Sequence, residues 1–441
     1  MSERLRASGF LTRLAGIAAV GLVLRLVYVL VLTRGLVDTG DSDFFHRIAL
    51  LIGDGRGFTE PIGLALTGSV RPTALHPPLY PLLIGAFSAA GVDSYLAQRV
   101  IGCLVGALAI VAVGLLGRRV GGERVGVVAA ALAAAYPVLI GADGAVMSES
   151  LYGLLVVVSL LCAYRVVDRP SAGRAAVLGV AIGLAALTRA EALALLVFAV
   201  APAAVAGAGG RRGPAWRPVA VAILACLVVL LPWTIRNWSA FDLPVLVSNN
   251  SGTLLSGANC ATTYHGPELG SWNIFCVKPG PSTNEARAAA HERSAGLSYA
   301  DDHLGRVPVV LGVRLLRTLD LYKPGVEARR AESRSYGIDL AGAVAFWLLA
   351  PVGVYGLVLL RRRRQPLALL LAPAALVAIV SLTGYGIPRF RHPLDLVLMV
   401  LAAVTYDAVM TRARPPRPPA LPERARPAPR PAPPDAAPPA A

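Results

Sequence analysis

The 441-residue chain is 55% hydrophobic and only 15% charged, with a mean hydropathy of +0.61, which excludes an ordinary soluble domain and indicates a polytopic membrane protein. Its net charge of +16 rests almost wholly on arginine, since lysine occurs only at Lys278 and Lys323. The arginines cluster between apolar segments, so the basic balance is a membrane-topology signal and no nucleic-acid partner is expected.

In chain order, the first apolar run (14–33) is long enough to span a bilayer and no small-residue cleavage site follows it. Arg4, Arg6 and Arg13 precede it, so residues 1–13 are expected to be a cytoplasmic N-terminus and 14–410 an integral membrane domain. Residues 34–95 form a first outer loop. Within it Phe44, Phe45, Ile48, Leu51 and Ile52 recur at helical spacing, which predicts a helix over 43–53 lying flat on the membrane. Residues 82–90 are too short to span and predict a second interfacial helix.

Further spans are expected at roughly 96–117, 125–142, 148–167, 174–189, 191–208, 218–235, 339–360, 366–385 and 392–410, about ten in all. Arg118/Arg119/Arg124, Arg165/Arg169/Arg174, Arg211/Arg212/Arg217 and Arg361–Arg364 then fall on the same side as the N-terminus, which places both termini inside. Residues 236–337 are too many for an unstructured connection and must fold as a second outer loop. There Ser282 to Glu285 has capping-box spacing and predicts a helix through Ser294. Residues 307–322 read as amphipathic, with Arg314 and Arg317 opposite Leu311, Leu315 and Leu319, and predict a helix on the outer surface. Residues 411–441 are Pro, Ala and Arg and read as a disordered cytoplasmic tail. The Ala, Gly, Pro and Arg excess is the composition of a GC-rich bacterial genome, so the compartment expected is a bacterial plasma membrane.

Cys103, Cys162 and Cys226 lie in apolar spans and read as inert. Cys260 and Cys276 share the second outer loop and are expected to pair, stabilising the fold by about 3 kcal/mol in the chain-entropy model. Among charges near spans, Arg25 reads as snorkelling or paired to a neighbouring helix, and Glu149 as a helix N-terminal carboxylate or a functional one. Arg189 and Glu191, two apart, do not share a helix face; an anion or sugar contact is the reading preferred over a simple pair. Arg389 and Arg391 open the last span from outside and suit a phosphate seat, because guanidinium forks match phosphate oxygens. Asp43 fits an N-cap of the flat helix, which leaves Asp41 for general-base work on a hydroxyl. A divalent metal at the Asp41-Ser42-Asp43 triplet is possible in principle but not expected, and no other cofactor is.

An acid just after helix one (Asp41), an aromatic four positions on (Phe45), a flat helix ending in Gly55-Arg56-Gly57-Phe58, then Pro77-Pro78-Leu79-Tyr80-Pro81 together resemble the GT-C glycosyltransferases. The branch resembled holds protein O-mannosyltransferases and the lipid A aminoarabinose transferase. The segments Leu187–Glu191, Pro232–Asn237 and Arg389–Asp395 also look like bacterial members. The resemblance implies an all-α bundle with two folded outer loops that transfers a mannose- or arabinose-like sugar, with inversion, on the outer face. The donor would be a polyprenyl-phosphate sugar and the acceptor a hydroxyl on a glycan, glycolipid or protein. It carries the catalytic carboxylate onto Asp41, although Ser42 stands where relatives often have a second acid, so Asp41 and Asp43 both stay candidates. Arg389, Arg391, Arg189 and Lys323 would hold the phosphate, and His46, His76, Tyr80, Glu149 and Glu191 would line the substrate site. A transporter or lipid-linked-sugar flippase is the competing class.

Overall fold

The computed structural model describes residues 2–36, 38–208, 216–330 and 332–412. Arg211, Arg212 and the tail beyond Arg412 lie outside the described residues, as do the side chains of Arg4 and Arg6. Each of the ten expected spans is mostly helical, but the one at 125–142 is broken at Tyr136 and those at 174–189 and 366–385 are short helices. Seven helical segments are long and apolar enough to cross a bilayer: Ser8–Leu32, Tyr95–Gly121, Glu149–Asp168, Ala190–Gly207, Trp216–Phe241, Tyr336–Arg362 and Pro388–Thr411. An eighth is a bent pair, and Ala172–Ala186 and Ala368–Thr383 are shorter apolar helices. The chain is therefore a multi-pass membrane protein, and no strand occurs among the described residues.

In order, α1 (Ser2–Val27) runs through a π turn and leads to α2 (Asp41–Gly53), α3 (Pro61–Thr67) and α4 (Leu79–Ser88) in the first long loop. Next come α5 (Tyr95–Gly121), α6 (Glu123–Ala135), α7 (Pro137–Asp143), α8 (Glu149–Asp168), α9 (Ala172–Ala186), α10 (Ala201–Ala208) and α11 (Trp216–Phe241). The second long loop folds as α12 (Ser251–Ala258), α13 (Ala261–Tyr264), α14 (Glu285–Asp302), α15 (Val307–Thr318) and α16 (Pro324–Arg329). The last spans are α17 (Tyr336–Arg362), α18 (Ala368–Thr383) and α19 (His392–Arg412).

The bend of 62° between α6 and α7 has a local cause. Pro137 drives Tyr136 into an extended conformation and brings no N–H to the helix, so carbonyls at the end of α6 lose their donors. Arg25 of α1 replaces them. Its guanidinium donates to the carbonyls of Ala133 and Ala134 at 3.3 and 3.1 Å, and its Nε to Asp143 Oδ2 at 2.7 Å. Arg25 is thus paired with a neighbouring helix, fully buried, and not snorkelling. Elsewhere small residues set the packing: Gly179 and Gly183 of α9 lie against Ala222, Cys226 and Val229 of α11, where a Cβ would collide. The opposite face of α11 exposes Leu224, Leu227, Val228, Leu231, Ile235 and Trp238, the stripe that lipid would cover.

One end of the bundle is a belt of ion pairs: Arg13 and Arg118 with Glu123, Arg119 with Asp168, and Arg124 with Asp407. The other end carries both folded loops.

Two local expectations for the long second loop need correction. The helix expected from the Ser282–Glu285 spacing begins at Glu285 and runs on to Asp302; Asn284 is its cap, accepting from the Ala286 and Arg287 amides. Glu285 instead accepts from the Ala74 amide and from Asn249, tying the two long loops together. In α15 the arginine face is the inner one. Arg314 and Arg317 are buried; Arg314 donates to the carbonyls of Ala258 and Leu382 and Arg317 to those of Leu269 and Pro267, while Val309 and Leu316 face outward. A guanidinium has enough donors to satisfy several carbonyls of an irregular loop, which polarity alone does not reveal. Cys260 and Cys276 form the expected disulfide, and Cys103, Cys162 and Cys226 are free and buried.

Candidate active site

The chain turns from α1 into α2 at Gly40, whose φ of 63° lies in the left-handed region. A Cβ there would also strike the Glu332 carboxylate, so both backbone and space require glycine. Phe44, Phe45, Ile48 and Ala49 bury one face of α2 against Tyr80 and Ile84 of α4 and against Ala145, Val146 and Met147. That packing fixes how the first turn points. Residues two apart on a helix are separated by about 200°, so Asp41 and Asp43 face opposite ways.

Asp41 faces the bundle. Its Oδ2 lies 2.8 Å from Arg389 Nη2 and its Oδ1 3.5 Å from His76 Nε2, and its backbone N–H donates to Glu332 Oε2 at 3.1 Å. Burial works against ionisation, but the Arg389 and His76 charges outweigh it and hold the Asp41 carboxyl at about 2. Its side chain remains 33% exposed, so a substrate can reach it.

Arg389 is the hub. Besides Asp41, its Nη2 donates to Tyr385 Oη at 3.1 Å, its Nη1 to Glu332 Oε2 at 3.4 Å, and its Nε lies 3.8 Å from Glu149 Oε1. Glu149 in turn accepts from Arg189 at 3.0 Å, and Arg189 Nε donates to Glu191 at 2.6 Å. Alternating charges therefore run Asp41, Arg389, Glu149, Arg189, Glu191. Burial raises the Glu332 carboxyl, Arg389 opposes the rise, and the neighbouring Asp41 adds to it. Burial lowers His76, which packs its ring 5.0 and 4.9 Å from those of Phe44 and Phe45. Tyr80 sits behind, 5.1 Å from Phe45.

Of the residues singled out from sequence, Asp41, His76, Glu149, Arg189, Glu191 and Arg389 are brought together. Others are not. Asp43 does not cap α2, because the helix already starts at Asp41; it pairs with Arg47 at 2.7 Å and accepts from Tyr95 at 2.8 Å. Arg47 and Tyr95, working against burial, keep its carboxyl below the usual range. His46 shares that far side, 3.0 Å from Gln98 Oε1 and stacked on Tyr95. Arg391 is fully buried between Asp320 and Asp395 and donates to the Thr318 carbonyl, so its charge is already spent on the fold. Lys323, at φ 51°, donates to the Pro267 carbonyl at 3.3 Å and lies over the Tyr322 ring. Arg189 and Glu191 do pair, contrary to expectation, because Arg189 is extended and precedes a 3-10 turn, where the helix-face argument has no force.

Glu332 and Tyr385 were not foreseen. Glu332 sits 291 positions from Asp41 with no local pattern to mark it. Tyr385, between Gly384 and Gly386 just before the arginine motif, had a signal in that aromatic flanked by glycines. Among the described residues no group of three or more His, Cys, Asp or Glu side chains is placed to hold a metal ion.

Residues 75–235 match the family profile for dolichyl-phosphate-mannose-protein mannosyltransferase. That stretch contains His76, Tyr80, Glu149, Arg189 and Glu191. The fold is similar to that of the oligosaccharyltransferase of Archaeoglobus fulgidus solved with a tethered acceptor peptide: TM-score 0.54, 17% identity, over 91% of this chain and 50% of that one. The apo form of the same enzyme gives a TM-score of 0.53 at 18% identity, over 91% and 51%. ArnT from Cupriavidus metallidurans bound to undecaprenyl phosphate aligns over 90% of this chain and 78% of its own, at 15% identity and a TM-score of 0.44. The chain spans about half the length of the archaeal chains it matches. The search of curated proteins gave no match.

Proposed function

We propose that the chain is a glycosyltransferase of the GT-C superfamily that moves a sugar from a polyprenyl-phosphate donor to a hydroxyl acceptor, with inversion, at the outer face of the membrane. The observation that carries this reading is the partly exposed Asp41 carboxylate held 2.8 Å from the Arg389 guanidinium. A base and an anion seat side by side are what a single displacement at an anomeric carbon needs.

In that displacement Asp41 accepts the acceptor's hydroxyl proton as the oxygen bonds to the anomeric carbon. The bond from that carbon to the phosphate oxygen breaks, and the electron pair leaves with polyprenyl phosphate. A carboxylate held at about 2 is a weak base, so the transfer belongs late on the path, when the attacking oxygen has become acidic. Arg389 meets the charge that develops on the phosphate, with Arg189 behind it. Turning towards a phosphate would also loosen its hold on Asp41 and raise that group's basicity when it is needed. Arg391 is fully buried between Asp320 and Asp395 and Lys323 is bound at the Pro267 carbonyl, so the phosphate seat we propose is Arg389, which touches the partly exposed Asp41, with Arg189 linked to it through Glu149.

The outer-face assignment is supported by the arginine-rich belt at the opposite end of the bundle and by a disulfide in the second loop. The composition supports a bacterial plasma membrane with both termini inside. The family profile favours mannose as the first sugar to test, and a glycan, glycolipid or protein hydroxyl as acceptor. The test is release of polyprenyl phosphate from polyprenyl-phosphate-mannose and polyprenyl-phosphate-arabinose by the reconstituted protein. Asp41→Asn should abolish release and leave lipid binding intact. Full turnover by that variant rules Asp41 out as the base, and no release by the wild type with any donor favours a transporter.

A further inference from the structure

Arg389 owes its position to more than its carboxylates. Its Nη2 donates both to Asp41 and, at 3.1 Å, to the hydroxyl of Tyr385. Tyr385 lies in the short turn between α18 and α19, a segment with no regular hydrogen bonds of its own. What holds that turn is the second long loop. The Gly386 amide donates to the Gly270 carbonyl at 2.9 Å, and the Trp272 ring lies 6.2 Å from that of Tyr385. Gly270 and Trp272 both sit inside the segment closed by the Cys260–Cys276 bond.

The closed segment is itself well anchored. Trp272 Nε1 donates to the Thr253 carbonyl at 2.9 Å, and the indole packs so tightly on Gly257 that a Cβ there would collide with it. Buried Arg314 bonds Ala258 and Asn259, just before the segment, and Leu382 at the end of α18, joining the two. Gly386 packs on the Arg314 backbone with no room for a side chain.

We infer that Tyr385 is a positioning residue for Arg389 and that the disulfide-closed segment 260–276 sets Tyr385 through Trp272 and the Gly270–Gly386 hydrogen bond. The inference rests on the reading that Arg389 receives the donor phosphate. Tyr385 fixes the edge of the guanidinium that faces Asp41, so that it can turn to a phosphate from one defined place. With the loop slack, Arg389 keeps its charge and loses its aim.

The test is a double-mutant cycle on binding of polyprenyl phosphate, with release of that lipid from polyprenyl-phosphate-mannose as a second readout. Tyr385→Phe keeps the ring and removes the acceptor, and should weaken binding about tenfold, the usual scale for a hydrogen bond to a charged group. Cys260→Ser/Cys276→Ser should weaken it comparably. The two changes combined should lose no more than the worse of them, because without the hydroxyl there is nothing left for the loop to place. A merely stabilising disulfide would instead lower thermal stability with an effect on binding that multiplies with that of Tyr385→Phe. Should the serine variant not fold, reduction of the folded wild type with dithiothreitol and Trp272→Phe take its place. Wild-type binding with Tyr385→Phe unchanged, or with multiplying losses, overturns this inference alone. Failure of the wild type to bind polyprenyl phosphate overturns the donor reading and this inference with it.

Discussion

Arg389 reaches Asp41 at 2.8 Å from 348 positions along the chain, while Asp43, two residues beyond Asp41, is bound at 2.7 Å by Arg47 of its own helix. One triplet thus supplies two acids with separate duties, because α2 turns them to opposite sides. The split predicts very different variants. Asp41→Asn should cost about 10²–10⁴-fold in polyprenyl phosphate release, the range for loss of a general base. Asp43→Asn breaks a largely exposed pair worth at most about 1 kcal/mol and should stay within about fivefold of wild type. Equal losses from the two would mean that the division of labour between them is wrong.

Glu332 and Asp41 share Arg389 and should leave opposite marks on the pH dependence of stability. Asp41 is held at about 2, so the stability it contributes is fully present above its ordinary value of about 3.9 and is lost as pH falls through 2. Glu332 is raised, so the folded protein holds its proton longer than the unfolded chain does. Stability therefore falls as pH rises from about 4.3 through that raised value. Glu332→Gln removes only the second effect. Thermal unfolding of the purified protein should show the variant level with wild type near pH 4 and more stable at pH 7. A Tm difference that does not change over this range would contradict the raised carboxyl.

Two arginines that look alike in the motif Arg389–Asp395 should fail in different ways. Arg389→Lys keeps a charge but loses the fork that serves Asp41, Tyr385 and Glu332, so release should fall at least tenfold with little change in Tm. Arg391→Met leaves Asp320 and Asp395 buried without their cation and should destabilise the fold by about 3–5 kcal/mol. Parallel measurement of Tm and release separates the two. A stable, inactive Arg391→Met protein would return Arg391 to the phosphate seat.

What was legible in the sequence follows the range of the forces involved. Apolar runs such as 95–121 and 216–241 announce themselves, because hydropathy is a local sum, but the bend at Pro137 falls inside what reads as one span over 125–142. The disulfide was legible from its loop. The acid at Asp41 and the arginine at Arg389 were legible as members of separate motifs, but not their contact. Glu332 left no trace, since its role exists only where Gly40 leaves it room. Arg314 and Arg317 misled because hydrophobic periodicity cannot say which face of a helix meets protein and which meets solvent or lipid.

The join between Arg25 and Asp143 offers a test of the scaffold apart from the chemistry. Both side chains are buried, and Arg25 also serves two carbonyls stranded by Pro137. Arg25→Met would leave Asp143 charged and alone, together with the open end of α6, and should cost about 3–5 kcal/mol. Asp143→Leu would strand the guanidinium in the same way. Removing both charges at once spares the protein a lone buried ion, so Arg25→Met/Asp143→Leu should be less destabilised than the sum of the single changes, with a coupling of about 1–3 kcal/mol. The remaining loss is that of the Ala133 and Ala134 carbonyls, which a methionine cannot satisfy. Additive losses in thermal unfolding would show that the two groups act independently and that the bend in the α6–α7 pair does not depend on their pairing.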